Sequence, residues 1–185
     1  VTLDGDLLLD FSNYSGTLAF DQTFDLIVAD NITGSFDEVL TKGLDSFRIE
    51  TSLQTNASGD DKYVVKLVPL PPGFTVSTSS VEVREGATTT FTVVLEAPPT
   101  EDVTLLLTTS DATASSLSAS SLVFTSSNWN NAQTVTLAGV QDAIDDGTQT
   151  SQITIAVDDA NSDNDFDSLA DKTISVNTID DDTAG

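Results

Sequence analysis

The sequence predicts an all-β protein made of two β-rich domains, and three observations predict it. Apolar residues recur with period two almost throughout the 185 residues, which places one face of each segment against a core, as in half-buried antiparallel strands. Such segments arrive about every 8 to 12 residues with Gly, Asn, Asp or Ser between them, the spacing of sandwiches and barrels. No stretch carries a capped apolar stripe of helical period, and a chain rich in Thr, Ser, Val and Asp, with only two Tyr, one Trp and five Pro, suits extended backbone better than helix.

Taken in order, the strands of the first part are marked by Leu7/Leu9/Phe11, Phe24/Leu26/Val28 and Tyr63/Val65/Leu67. The stretch "LVPLPPGFTV" then places Pro69, Pro71 and Pro72 together. Three missing backbone donors and a stiffened backbone suit a short extended linker better than a central strand. Residues 1–70 are therefore expected to form one β-rich domain and residues 71–185 a second. The second is marked by Phe91/Val93/Leu95, Val103/Leu105/Leu107, Val135/Leu137 and Ile153/Ile155/Val157. Its length matches a β-sandwich of about 100 residues.

Charge bounds the function. Six basic residues stand against 30 acidic ones, a net charge of −24, which argues against nucleic acid or an anionic membrane as partner and makes cations the natural counter-charge. The excess lies mostly in the second domain, with two basic and eighteen acidic residues after Leu70. Absence of both Cys and His removes thiol and imidazole chemistry, with the Ser-His-Asp triad, the Cys-His dyad and the usual zinc ligands. An enzyme is not expected. No apolar run approaches the roughly 18 residues of a membrane span. The chain opens at Val1 and contains no Met, so it reads as a processed product or a piece of something larger.

Three acidic loops are candidates for binding a cation. "VREGATTTF" sets Glu85 and Gly86 between two strands, "GVQDAIDDGTQT" sets Asp142, Asp145 and Asp146 between two more, and "IDDDTAG" ends the last strand with Asp180, Asp181 and Asp182. Any one acidic turn is explained by backbone preference. Adjacent carboxylates without a Lys or Arg nearby only repel. Alternate loops of a sandwich fall at one end, so the three are expected to meet at one pole, where several carboxylates suit calcium and its six to eight oxygen ligands. A fourth run, Asp159, Asn161, Asp163, Asp165 and Asp167, imitates the start of an EF-hand loop. It has Asn164 in place of the required Gly and Ala170 in place of the bidentate Glu. It reads as a flexible acidic loop with room at most for a low-affinity calcium position. Sequons at Asn13, Asn31 and Asn56 arise easily in such a composition, and Trp129 is expected to pack in the core or at a sheet edge rather than stack on sugar.

From Gly73 onward the chain resembles a Calx-β type immunoglobulin-like domain of the kind strung in large bacterial surface and adhesin proteins. The phrases that carry the likeness are "FTVSTSSVEVREGATTTFTVVL", "LVFTSSNWNNAQTVTLAGVQDAIDDGTQTSQITI" and "ISVNTIDDDTAG". The resemblance implies a calcium-binding Greek-key sandwich whose ligands are Glu85, Asp142, Asp146, Asp180, Asp181 and Asp182, with Asp111 and Asp145 as additions. Gln141 departs from the pattern, since calcium-binding relatives often carry a further acid there. Residues 1–70, through "FDLIVADNITGSFDEV", "RIETSLQ" and "YVVKLV", resemble the closing part of β-solenoid or autotransporter-type surface proteins. The module opens with "PPGFTVS" and ends in "DTAG", ends that match if a like module follows, so tandem repetition is implied. The resemblance thus implies a non-enzymatic, exported, calcium-rigidified module at a bacterial surface. Its partners would be neighbouring modules or copies of the same chain, with fibre self-assembly or carbohydrate binding as alternatives.

Overall fold

The computed structural model describes residues 2–4, 6–12, 23–29, 31–36, 38–42, 46–55 and 59–183; the sequons at Asn13 and Asn56 lie outside the described residues. The fold is all-β. The chain separates into two compact units, Val1–Leu70 and Pro71–Gly185.

The first unit holds β1 (Thr2–Leu3), β2 (Asp6–Asp10), β3 (Thr23–Ala29), β4 (Thr33–Gly34), β5 (Glu38–Lys42), β6 (Phe47–Thr55) and β7 (Asp61–Pro69). Two of its pairings correct the antiparallel expectation. β1 runs parallel to β4 with Thr2 opposite Thr33, and β2 runs parallel to β5 with Asp6 opposite Glu38. Alternation reports which face is buried and is silent on strand direction, so Leu7 and Leu9 carry the same pattern in either pairing. β7 lies between β3 and β6, antiparallel to both. Its Tyr63, Val64, Val65, Leu67 and Val68 are all buried, so this strand is covered on both faces rather than half-buried. A register shift between Asp25 and Ile27 leaves Leu26 without an opposite residue, and a bulge of this kind explains why its side chain is exposed. Phe36 meets Tyr63 edge-on with centroids 5.2 Å apart, beside Leu3 and Ile32. The Asp61 carboxylate ties this unit together by accepting from Ile32 N (2.9 Å) and Thr55 Oγ1 (2.8 Å).

The second unit contains β8 (Phe74–Val76), β9 (Ser80–Arg84), β10 (Thr88–Leu95), β11 (Val103–Thr109), β12 (Ser115–Leu117), β13 (Ser121–Phe124), β14 (Gln133–Gly139), β15 (Gln149–Val157) and β16 (Lys172–Ile179). They form a four-stranded sheet in the order β12-β14-β10-β8 and a five-stranded sheet in the order β13-β11-β15-β16-β9. From β8 to β15 consecutive strands change sheets and pair at a distance, β10 with β14 and β11 with β15, and only β15 and β16 form a hairpin, which gives an immunoglobulin-like Greek-key sandwich. The inward positions are those that the period of two marks: Phe91, Val93 and Leu95 on β10, Leu105 and Leu107 on β11, Leu137 on β14, and Ile153 and Ile155 on β15, all buried. Burial of this many branched and aromatic side chains, each worth about 1.5–3 kcal/mol, is what holds the sheets face to face. One edge sets the position of two acidic loops. β9 and β16 run parallel, with Ser80 opposite Ser175 and Arg84 opposite Ile179, so both strands deliver their following loops to the same pole.

Candidate metal centre

Glu85 follows β9 directly, and its position is fixed by backbone on two sides. Its N–H donates to Ile179 O at 3.0 Å, and it forms an isolated parallel bridge with Gly139 at the end of β14. Gly139 is needed there. A Cβ on it would stand 2.3 Å from Arg84 O and 3.2 Å from Glu85 Cα, which backbone cannot yield. Gly86 follows with φ +66°, a left-handed conformation that favours glycine, and donates its N–H to Gly139 O at 3.1 Å. Sequence reasoning noted Gly86 only as a turn residue and missed Gly139; no local signal marks a glycine that answers to a distant strand. We predict that Gly139→Ala destabilises the second unit by about 1–3 kcal/mol through overpacking, read as a lowered urea midpoint. An unchanged midpoint would show that the contact yields freely.

The pinned side chain is only 7% exposed, and its hydrogen bonds are long. Gln141 Nε2 donates to Glu85 Oε2 at 3.4 Å and Asp142 N donates to the same oxygen at 3.5 Å, both at the outer edge of hydrogen bonding. Around it the chain gathers further negative charge. Carboxylate oxygens of Glu85, Asp181 and Asp182 lie within 4.8 Å of one another. Asp182 Oδ2 is buried with no hydrogen-bond partner. On another side Glu85, Asp111, Asp142 and Asp146 line a small cavity of about 50 Å³ together with Thr113 and Gln149.

The remaining predicted residues are placed differently. Asp180 spends its oxygens on backbone, accepting from Gly147 N (2.7 Å) and Asp182 N (2.8 Å), and so ties the β14–β15 loop to the terminal segment. Asp111 accepts from Thr113 N (2.9 Å) and Thr113 Oγ1 (2.6 Å), which orders its own turn. Asp145 is exposed and belongs to neither the carboxylate trio nor the cavity lining. The acidities follow these surroundings. Burial pushes the Glu85 carboxyl above its ordinary value, and the charges of Asp142, Asp180 and Asp182 push it further against the pull of the Asp142 N–H. Burial likewise raises Asp182, helped by Asp180 and Asp181. The N–H groups of Asp182 and Gly147 hold Asp180 low, and Thr113 does the same for Asp111.

This donor set fits a hard cation. All the side-chain donors are oxygen, they come from loops after β9, β11, β14 and β16, and oxygens that share one calcium ion at 2.3–2.6 Å lie at most about 5 Å apart. A buried carboxylate oxygen without a partner costs free energy, and a cation would supply that partner.

The EF-hand-like run is something else. Asp163 is buried at 4% exposure and its oxygens are fully used: Oδ2 accepts from Thr100 N (2.6 Å), Thr100 Oγ1 (2.8 Å) and Glu101 N (3.1 Å), and Oδ1 from Asp165 N (3.0 Å). Phe166, just after it, is 1% exposed. The loop expected to be flexible is thus anchored to the β10–β11 connection by one carboxylate, and it buries one ring. Trp129 is half-buried and its carbonyl accepts from Leu95 N at 3.1 Å.

No protein-family model matches the chain, and no curated protein matches it significantly in sequence. Similar solved structures include a Salmonella enterica SafA pilin in complex with the SafB chaperone (11% identity, TM-score 0.45, covering 61% of this chain and 57% of that one). Domains 4 and 5 of the S-layer protein SbsC are similar over 71% of this chain and 66% of theirs (19% identity, TM-score 0.40). The apo form of the Calx CBD1 domain is similar over 59% of this chain and 96% of its own (13% identity, TM-score 0.39). These are likenesses of fold, and no residue role is taken from them. No described helix is long and apolar enough to cross a membrane.

Proposed function

We propose that the second unit is a calcium-binding structural module of an exported bacterial surface protein, with no enzymatic activity, acting as an adhesin segment, extender or filament part. The observation that carries this reading is the convergence of carboxylate oxygens of Glu85, Asp181 and Asp182, together with an Asp182 oxygen that is buried and has no hydrogen-bond partner. Asp142, Asp146 and Asp111, on the neighbouring cavity, would hold a further ion or complete the first. Without a cation these groups repel, and the segment after β16 is held mainly by Asp180. A bound ion cancels the repulsion and fastens that segment to the end of β9, which stiffens the junction with a following module. The Calx-β resemblance supports Glu85, Asp142, Asp146, Asp181 and Asp182 as ligands, and it adds Asp180, whose oxygens here accept from Gly147 N and Asp182 N. In the first unit, the parallel pairing of β1 with β4 and of β2 with β5 supports its reading as the closing part of a coiled β-rich surface protein. The partners are neighbouring modules or further copies of this chain.

Thermal denaturation in chelator and in millimolar calcium tests the reading. At a free ion concentration 100 times the dissociation constant the ion stabilises by about 2.7 kcal/mol, roughly 10 °C for a unit of this size. Extracellular sites commonly bind in the 10⁻⁴ to 10⁻³ M range. The double variant Asp181→Asn, Asp182→Asn is expected to lose most of the rise. Superimposable wild-type melting curves in the two buffers would sink the proposal.

A further inference from the structure

Gln141, an exposed residue of the β14–β15 loop, reaches the pole at the position where calcium-binding members of the resembled family often carry a further acid. Its Nε2 stands 3.1 Å from Asp181 Oδ1, 3.4 Å from Glu85 Oε2 and 3.0 Å from the carbonyl oxygen of Asp142. Three acceptors, two of them carboxylates, converge on one nitrogen that carries only two hydrogens. The orientation of the carboxamide is forced, because reversing it would set its carbonyl oxygen against the same three oxygens. The opposite end is accommodated by Gly86, whose hypothetical Cβ would come within 2.9 Å of Gln141 Oε1. Glu85 and Asp181, the acids bridged by this nitrogen, are two of the three whose oxygens gather for a cation.

We propose, resting on the reading of the pole as a cation site, that the Gln141 carboxamide is a built-in substitute for an inner calcium ion: it clamps Glu85 to Asp181 when no ion is bound, and an entering ion must displace its N–H donors. A neutral amide suits both conditions. As a donor it offsets part of the repulsion, and after a half-turn of the amide its oxygen can face the ion as a ligand. A carboxylate would serve only the loaded state. The consequence is a pole that stays closed without calcium and binds calcium more weakly than its acid count implies.

The test uses the whole chain with Gln141→Glu and Gln141→Ala, melting curves in chelator, and calorimetric titration with calcium chloride. Both variants are expected to melt below the wild type in chelator and to gain more from calcium. Gln141→Glu is expected to bind about tenfold more tightly, because affinity follows ligand charge. If the wild type binds calcium and both variants match it in chelator melting and in affinity, the role of Gln141 is overturned while the cation reading stands. If none of the three proteins binds calcium, the cation reading fails and the substitution idea with it. Should one variant fail to fold, the other decides alone.

Discussion

Replacing Glu85 by Gln is expected to raise the melting temperature in chelator and to remove most of the response to calcium. Both effects come from one placement. The side chain is 7% exposed, held by two hydrogen bonds of 3.4 and 3.5 Å, and surrounded by Asp142, Asp180 and Asp182. An ionised group in that position gives up hydration and gains little in return. The amide keeps the shape and drops the charge, so the ion-free protein gains. The loaded protein loses its most enclosed ligand, and calcium affinity is expected to fall about tenfold or more. The opposite pattern, lower melting in chelator with the calcium response intact, would make Glu85 an ordinary structural acid. Asp171→Asn serves as the control, since that exposed residue before β16 lies outside the carboxylate trio and the cavity lining and should change the response little.

The second large effect lies in the β15–β16 connection. Asp163→Ala leaves four donors without their acceptor: Thr100 N, Thr100 Oγ1, Glu101 N and Asp165 N. Several charge-assisted bonds lost together should cost about 3 kcal/mol, or roughly 10 °C. Calcium will not restore it. The pH dependence has a definite sign. Burial acts to raise the Asp163 carboxyl, but the donors from Asp165, Thr100 and Glu101 outweigh it and hold the folded value below the ordinary 3.8. Its contribution is therefore present above the unfolded value and is lost as pH falls through the folded one. The difference in urea stability between wild type and Asp163→Asn should be constant near neutrality and shrink in strong acid. A difference that grew on acidification would contradict this account.

Much of the second unit was legible in the sequence because its core side chains sit at the alternating positions. Phe91, Val93 and Leu95 point inward at the places that the period of two marks. Alternation could not reveal direction or partner, so β2, which pairs in parallel with β5 across two intervening strands, read like a piece of antiparallel sheet. The pole was legible as charge: Asp181 and Asp182 could be named because repulsion between adjacent acids asks for an explanation, and Glu85 because its loop follows a strand and matches the Calx-β phrase. How the eight named residues divide the work was not legible. Asp180 and Asp111 turn to N–H groups close by in the chain or across one loop, a matter of a few dihedral angles. Gly139 escaped, and Gln141 was marked only as a departure from a pattern, because their importance is purely tertiary, one as a gap that admits Glu85 and the other as a nitrogen among oxygens. Asp163 was misread for a related reason. Its partners Thr100 and Glu101 belong to a connection five strands earlier, and no local pattern announces them.

The parallel edge formed by β9 and β16 has a mechanical consequence. Tension applied to the two ends of the second unit draws β9 back toward its start and β16 onward toward its finish. Because the strands point the same way, these pulls are opposed along a shared ladder that spans Ser80 to Arg84 and Ser175 to Ile179. The bonds are loaded together in shear and cannot open singly like a zipper. Glu85 and the Asp181–Asp182 pair sit just past the far end of that ladder, where sliding would first pull them apart. An ion shared between them would act as a catch against traction, and the force at which the sandwich yields should track the calcium concentration around it.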